Sequence, residues 1–240
     1  HASIDMYEKS GAYYDAIYSF KDYKKESEKL VKIINKYKTS NGTTLLDVAC
    51  GTGNHITFLK PHYRVEGLDV TPALLRQARV KHRDVAFHKG DMCTFKLGKT
   101  FDIVTCLFSA IGHVKSKENM RKAVANMAQH LKPGGILIVE PWFSPEQWTV
   151  GHLSANFVDK PDLKIARLSK SERRGNLSVN RMHHLVASLI GVDYFVERLE
   201  LGLFTSQQYL GAFQKVDLET IFDPIGLTGR GLYIGVKSLV

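Results

Sequence analysis

Three clusters in this chain combine residue types and spacing suited to holding a small charged ligand. The strongest is Leu46-Asp-Val-Ala-Cys-Gly-Thr-Gly53. An apolar run from Thr44 to Ala49 suits a buried strand, and a helix is expected to open near Asn54. The glycines therefore fall at a strand-to-helix crossover, where a missing Cβ lets the backbone approach a ligand closely. A dinucleotide fingerprint would need a third glycine, and position 56 is Ile. Instead Asp47 stands just before the loop. Its carboxylate would repel a pyrophosphate, but it can hold the ammonium of an amino-acid group whose carboxylate faces the loop amides. S-adenosylmethionine carries such an amino-acid tail.

Asp69 ends the second expected strand, about twenty residues after the loop, where a carboxylate can accept both hydroxyls of a ribose. With Pro72 close behind, it also suits a helix N-terminus. Gly90-Asp91-Met92 follows the third strand. There Asp91 can accept an adenine amino group while Met92 packs on the ring. Ala49, Gly51 and Gly53 in the loop, Val70 beside Asp69 and Leu107 near the end of the fourth strand complete the expected cofactor contacts.

These residues need an alternating scaffold. Residues from Glu8 to about Lys38 read as helical, with Leu30, Ile33, Ile34 and Tyr37 at helical spacing. Strands are expected over Thr44–Ala49, Arg64–Asp69, Val85–His88, Phe101–Phe108 and Ile136–Val139. Helices are expected over Pro72–Lys81, with Thr71 as N-cap, and over Lys117–Leu131, stopped by Lys132-Pro-Gly-Gly135. After Pro141 the period changes to polar alternation over Leu163–Ser169, Leu177–Ala187 and Asp193–Phe204, which implies an antiparallel layer. A helix over Ser206–Lys215 precedes Thr220–Phe222 and Leu232–Val236, which can close the main sheet. The expected fold is a doubly wound, mostly parallel α/β sheet of seven strands with an antiparallel β subdomain. Its expected organisation is an N-terminal helical cover (1–40), a cofactor-binding core (41–141), the antiparallel subdomain beside an acceptor site (142–204) and a return to the core sheet (205–240).

Composition narrows the classes. With 44% hydrophobic residues the 240-residue chain can bury a sizeable core. No apolar run approaches the ~20 residues of a membrane span, and His1-Ala2-Ser3-Ile4-Asp5 carries no apolar signal region, so a cytoplasmic protein is expected. Three cysteines without a Cys-x-x-Cys pair and ten histidines without ligand spacing argue against a metal site. The net charge of +9 would attract an anionic partner. It is spread out, however, and the stretch from Lys21 to Lys38 interleaves with Glu26 and Glu28 like the solvated face of a helix. His183 and His184 read as plain strand residues on opposite faces.

Together the three clusters, with Lys132-Pro-Gly-Gly135, resemble the class I S-adenosylmethionine methyltransferase family and its Rossmann-like fold. Five further stretches are similar to the N,N-dimethyltransferases of amino deoxysugar biosynthesis: Leu45–His55, Val104–His113, Val139–Phe143, Leu203–Tyr209 and Thr228–Leu232. Tyr14-Asp15 and Lys21-Asp22-Tyr23 are similar as well, whereas Val150–Lys160 departs from the family. The resemblance implies a dTDP-linked aminosugar as methyl acceptor, no metal, and His113 as the base near the amine. It also implies that Arg230 faces the sugar nucleotide, where a diphosphate would suit its guanidinium. Trp142 is expected either to wall the acceptor pocket or to pack in the core. Tyr14 and Tyr23 belong either to a cover over the cofactor or to helix packing. Competing readings are another small amine, an oxygen or carbon acceptor, an RNA methyltransferase, or a cofactor-binding protein without catalysis. Against RNA stand the lack of an appended RNA-binding module and of an Asn/Asp-Pro-Pro-aromatic segment. A homodimer is a further possibility.

Overall fold

The computed structural model describes residue 7 and residues 9–239. The opening pentapeptide and Glu8, where the first helix was expected to begin, lie outside the described residues.

The apolar runs form a seven-stranded sheet in the order β10-β11-β5-β4-β1-β2-β3. Its strands are β1 (Thr44–Val48), β2 (Arg64–Asp69), β3 (Ala86–Lys89), β4 (Phe101–Cys106), β5 (Leu131–Val139), β10 (Leu218–Asp223) and β11 (Leu232–Lys237). Every pairing is parallel except those of β11, which runs antiparallel to both β5 and β10. Strand β4 is buried along its whole length, as expected of a parallel strand covered on both faces. Alternate side chains divide between two cores. Leu46, Val48, Val104 and Leu137 pack with Met120, Val124 and Phe213. Leu45, Ile103, Ile136 and Ile138 pack on the other face with Leu30, Ile34 and Ile56. The helices supplying these residues are α2 (Tyr23–Tyr37), α3 (Asn54–Leu59), α5 (Lys117–Gln129) and α6 (Ser206–Gln214); α4 (Pro72–Lys81) flanks β2 and β3. The order of connection reverses between β1 and β4, so a crevice opens at the carboxyl ends of these two strands.

Four local expectations are corrected. The N-terminal segment is not one helix: a 3₁₀ turn (Ser10–Tyr13) and the short α1 (Tyr14–Ile17) precede α2. The chain breaks before Asp22, whose carboxylate caps α2 by accepting the Lys25 N–H at 2.9 Å. The charged stretch is not wholly a solvated face either, because the side chains of Lys21 and Glu26 are only 5% and 7% exposed and pair with each other. Lys132-Pro-Gly-Gly135 does not follow the helix as a free stop. Leu131 already pairs with Phe101, and Ile136 with Ile103, so these four residues form a bulge inside β5. Finally, Thr71 occupies the N-cap position of α4 without a side-chain cap; Asp69 accepts the Thr71 N–H instead.

A second, four-stranded antiparallel sheet comprises β6 (Leu153–Lys160), β7 (Leu163–Arg174), β8 (Leu177–Ser188) and β9 (Gly191–Gly202) in that order. Strand β6 was not anticipated, because its alternation is inverted: the larger apolar residues Leu153 and Phe157 face outward, while Ser154 and Asn156 share the inward face with the buried Val158. His183 and His184 do take opposite faces: the first meets the Tyr194 hydroxyl at 2.7 Å and the second is buried against Phe195.

The amino ends of β1, β4 and β5 are tied by one carboxylate. Asp102 accepts the Thr44 N–H at 3.0 Å, the Thr44 hydroxyl at 2.6 Å and the Lys132 ammonium at 2.9 Å. Burial alone would raise its pKa, but these donors hold it well below the usual carboxylate range. Its stabilisation is therefore present above the ordinary aspartate pKa of about 3.9 and is lost as pH falls toward its own lower value. Asp102→Asn is expected to cost about 1.5–3 kcal/mol in urea unfolding at pH 7. The gap from the parent protein should narrow as pH approaches 3.

Candidate active site

The crevice widens into one cavity of about 870 Å³ lined from both sheets and from the N-terminal segment. At its β1 end, Asp47 is 2% exposed and accepts the Thr105 hydroxyl from β4 at 2.8 Å. Among the described residues no cation pairs with it. Burial pushes its carboxyl up to about 6. The following loop places Ala49, Gly51 and Gly53 in the left-handed region, with φ of 60°, 57° and 78°. Gly53 cannot carry a side chain, because a Cβ would lie 2.9 Å from the His82 ring. Ala49 and Gly51 line the cavity, while Asp47 lines a smaller adjoining space with Tyr14, Tyr23 and His55.

Asp69 serves two backbone groups at once. It accepts the Gly51 N–H at 2.8 Å and the Thr71 N–H at 2.8 Å, locking the loop to the start of α4. Asp69 and Val70 still line the cavity. Asp91 accepts the Cys93 N–H at 2.7 Å and lines the cavity, as do Met92, Leu74 and Leu107.

Strand β4 leads into an elbow, Phe108-Ser109, whose two residues are both left-handed with φ of 53° and 58°. The elbow feeds a 3₁₀ turn (Ala110–Val114) that presents His113 to the cavity. Burial and the neighbouring Lys115 lower the His113 imidazole to about 4, so it is neutral at pH 7. Trp142 is half-buried rather than in the core; its Nε1 donates to the Ser178 hydroxyl at 2.9 Å. It packs with Phe143 and Trp148 at ring separations of 4.8 and 5.7 Å. The Arg230 guanidinium sits 4.8 Å from the Trp142 ring and 5.2 Å from that of Phe143, and donates to the Ser109 hydroxyl at 3.1 Å. Arg230 is thus held in the wall of the cavity and not on a surface turn.

All fourteen residues singled out from the sequence fall around this crevice except Gly53 and, in the smaller space, Asp47 and Tyr23. Sequence reasoning missed the groups that hold them. His55 meets Glu26 at 2.8 Å, and Lys21 lies over the Phe108 ring at 4.4 Å. The second sheet contributes Arg167, Ser169 and Asn180 to the cavity. Strand alternation could have found those three; no local signal connects Glu26 to His55. Among the described residues no group of His, Cys, Asp or Glu could hold a metal ion.

A glycine-lined loop between carboxylates at the switch point of a doubly wound sheet defines a class I S-adenosylmethionine-dependent methyltransferase, and residues 45–135 match the methyltransferase domain family. The chain is 38% identical over 238 residues to the dTDP-3-amino-3,4,6-trideoxy-alpha-D-glucopyranose N,N-dimethyltransferase of Streptomyces venezuelae, covering 97% of this chain and 100% of that one. It is 32% identical to the dTDP-4-amino-2,3,4,6-tetradeoxy-D-glucose N,N-dimethyltransferase of Saccharopolyspora spinosa, covering 94% and 91%. The solved structure of an S-adenosylmethionine-bound amino pentose methyltransferase from Micromonospora echinaspora matches with TM-score 0.85 and 36% identity, covering 95% of each chain. The chain belongs to the dTDP-aminosugar N,N-dimethyltransferase family. The donor set fits the cofactor: a buried carboxylate without a cation suits its ammonium, and a glycine cradle suits its carboxylate.

If Asp47 holds that ammonium, binding favours its ionised form. Affinity for S-adenosylhomocysteine, measured by calorimetry, should then strengthen as pH rises from 5 to 7, through the Asp47 ionisation near 6. It should be weaker and flat over that range in Asp47→Asn. A parent profile as flat as the variant's would remove Asp47 from this role.

Proposed function

We propose that this protein methylates the amino group of a dTDP-linked amino deoxysugar. The observation that carries the reading is the cavity of about 870 Å³, whose lining includes Asp69 and Asp91 together with His113 and Arg230. That volume lies at the upper end of the ~300–1,000 Å³ of small-molecule pockets, room for a cofactor and a second ligand. Asp47, Asp69 and Asp91 take the amino-acid, ribose and adenine parts of the cofactor. Ala49, Gly51, Gly53, Val70, Met92 and Leu107 shape the walls around it, and Tyr14 and Tyr23 cover it. Arg230 takes the anionic sugar nucleotide and Trp142 walls the acceptor. Two relatives differ in carrying the amine at sugar position 3 or 4, so family membership does not choose between them.

The bound cofactor supplies an electrophilic sulfonium methyl. The chain's own task is to present a neutral amine in line with it and to exclude water. His113 is suited to this because its imidazole is already neutral at physiological pH. It accepts an amine N–H, orients the lone pair and takes the proton released on transfer. Both substrates are charged and do not cross bilayers, and no helix among the described residues is long and apolar enough to span one. The charge of the substrates supports a location in the cytoplasm, where a dTDP-sugar and S-adenosylmethionine would both be at hand.

An acceptor screen with isotopically labelled cofactor, read by mass, tests the proposal: a dTDP-aminosugar should gain one or two methyls. His113→Asn should lower kcat by roughly 10²–10⁴-fold with cofactor affinity retained. Because the imidazole ionises near 4, the parent rate between pH 6 and 9 should follow the acceptor amine instead of the histidine. The loss in His113→Asn should shrink at high pH if His113 moves the proton. Parallel profiles would leave it only an orienting role.

A homodimer is also proposed. The face of the second sheet turned away from the cavity exposes Leu153, Phe157, Leu168, Leu185, Tyr194 and Val196. Four strands of 8 to 12 residues present a face approaching the ~800 Å² per partner of a stable interface. A second copy covers it without blocking the cavity. Light scattering should give a dimer for the parent and a monomer for the Phe157→Glu, Leu185→Glu double variant; a monomeric parent would dismiss the interface.

A further inference from the structure

Glu140, the residue after β5, is fully buried, yet it has no place in the roles above. Its backbone N–H donates to the Cys106 carbonyl at 2.9 Å, extending the β4–β5 pairing by one residue. Its two carboxylate oxygens then reach in different directions. Oε2 accepts the Phe108 N–H at 2.6 Å. Oε1 accepts the Thr228 hydroxyl at 2.8 Å. The first contact holds the elbow that turns the chain toward His113. The second holds the Thr228-Gly-Arg-Gly231 loop that carries Arg230.

A parallel link closes the arrangement. The Ser109 hydroxyl donates to the Pro141 carbonyl at 2.6 Å and receives a hydrogen bond from Arg230. Phe108 and Ser109 are consecutive non-glycine residues in the left-handed region, a conformation that persists only when its surroundings over-determine it. Pairing within the sheet cannot supply that determination, because β4 ends at Cys106. The buried carboxylate supplies it, and the same group fixes the loop opposite.

We propose that Glu140 is a positioning residue that sets the distance between His113 and Arg230, and so places the acceptor amine relative to the imidazole. Its role in turnover rests on the function proposed above. Its role in the geometry does not, and the two can be read separately. Both tryptophans of the chain, Trp142 and Trp148, lie in the aromatic cluster against which Arg230 is packed. Their emission therefore reports the guanidinium's position without any acceptor.

Glu140→Ala, Glu140→Gln and Thr228→Val test the proposal through four readouts: tryptophan emission, S-adenosylhomocysteine affinity, thermal midpoint, and kcat with KM for a dTDP-aminosugar. Glutamine can keep the geometry. Its carbonyl accepts the Phe108 N–H, and its amide donates to the Thr228 oxygen once that hydroxyl turns around. Glu140→Ala should change the emission and lower kcat by on the order of 10²-fold, the scale for a reacting group displaced by about 1 Å. Cofactor affinity should stay within about threefold of the parent, since the Glu140 hydrogen bonds go to Phe108 and Thr228 and not to Asp47, Asp69 or Asp91. Glu140→Gln should restore the parent emission and most of kcat. Thr228→Val should raise KM more than it lowers kcat, because only the Arg230 arm is released.

Parent-like emission and kcat in Glu140→Ala would overturn the proposal. So would a loss of cofactor affinity or thermal midpoint that tracks the loss in kcat, which would mark a general structural role. Glu140→Gln as impaired as Glu140→Ala would assign the effect to charge and overturn positioning. If the parent turns over no dTDP-aminosugar, the acceptor assignment fails, and the emission of Glu140→Ala against Glu140→Gln still decides the positioning role.

Discussion

Carboxylates withdrawn from water at one edge of the sheet set the terms for the rest of this structure. Asp47, Asp69 and Glu140 are each at most 6% exposed, and each lies within one residue of a strand's carboxyl end at the crevice. A buried carboxylate is costly unless it accepts hydrogen bonds or meets a cation. Asp69 recovers that cost from the backbone of the glycine loop and the start of α4. Glu140 recovers it from the elbow and the Thr228 hydroxyl. Burial raises the pKa of both aspartates, but Asp47 has the fewest donors to offset it, a single hydroxyl. The carboxylate left least satisfied is the one best prepared for a ligand cation.

The same edge of the sheet carries part of the chain's irregular backbone. The left-handed residues Ala49, Phe108 and Ser109 all lie on the cavity side of the sheet edge. Phe108 and Ser109 are held by contacts that a strand or helix would not provide, from Glu140, Pro141 and Arg230. The Asp102 knot at the opposite edge does the complementary work, fixing β1, β4 and β5 in register so that their far ends arrive together. Strain is tolerated at one edge because the other is tightly tied.

The second sheet gives the crevice a lid side. Its inner face mixes Ser169, Asn180 and Arg167 with Met182 and Leu201, so it can meet a polar ligand without forfeiting packing. The broken N-terminal segment closes the remaining side. Tyr18 lies edge-on to Phe108 at 5.1 Å and beneath the Arg167 guanidinium at 5.0 Å, linking the cover to both sheets. A straight helix from Glu8 to Lys38 could not have made these contacts, which need the chain to turn at Tyr18–Lys21.

The sequence alone determined the alternating scaffold, the glycine loop and the carboxylates at the strand ends. Those signals are local: a strand buried on both faces reads as an apolar run, and a crossover that must approach a ligand reads as glycine beside an acid. It also marked His113, Trp142 and Arg230 through their resemblance to known enzymes, without saying what holds them. Only the tertiary structure decided that Lys21 and Glu26 leave the solvated face, that Lys132–Gly135 bulges out of a strand, and that Leu153–Lys160 is a strand at all. It alone joined Glu26 to His55, and Glu140 to Phe108 and Thr228. The reason is physical. A hydrogen bond between residues dozens of positions apart leaves no periodicity along the chain, and a carboxylate's partners are chosen by whichever donors the fold brings within 3 Å of it.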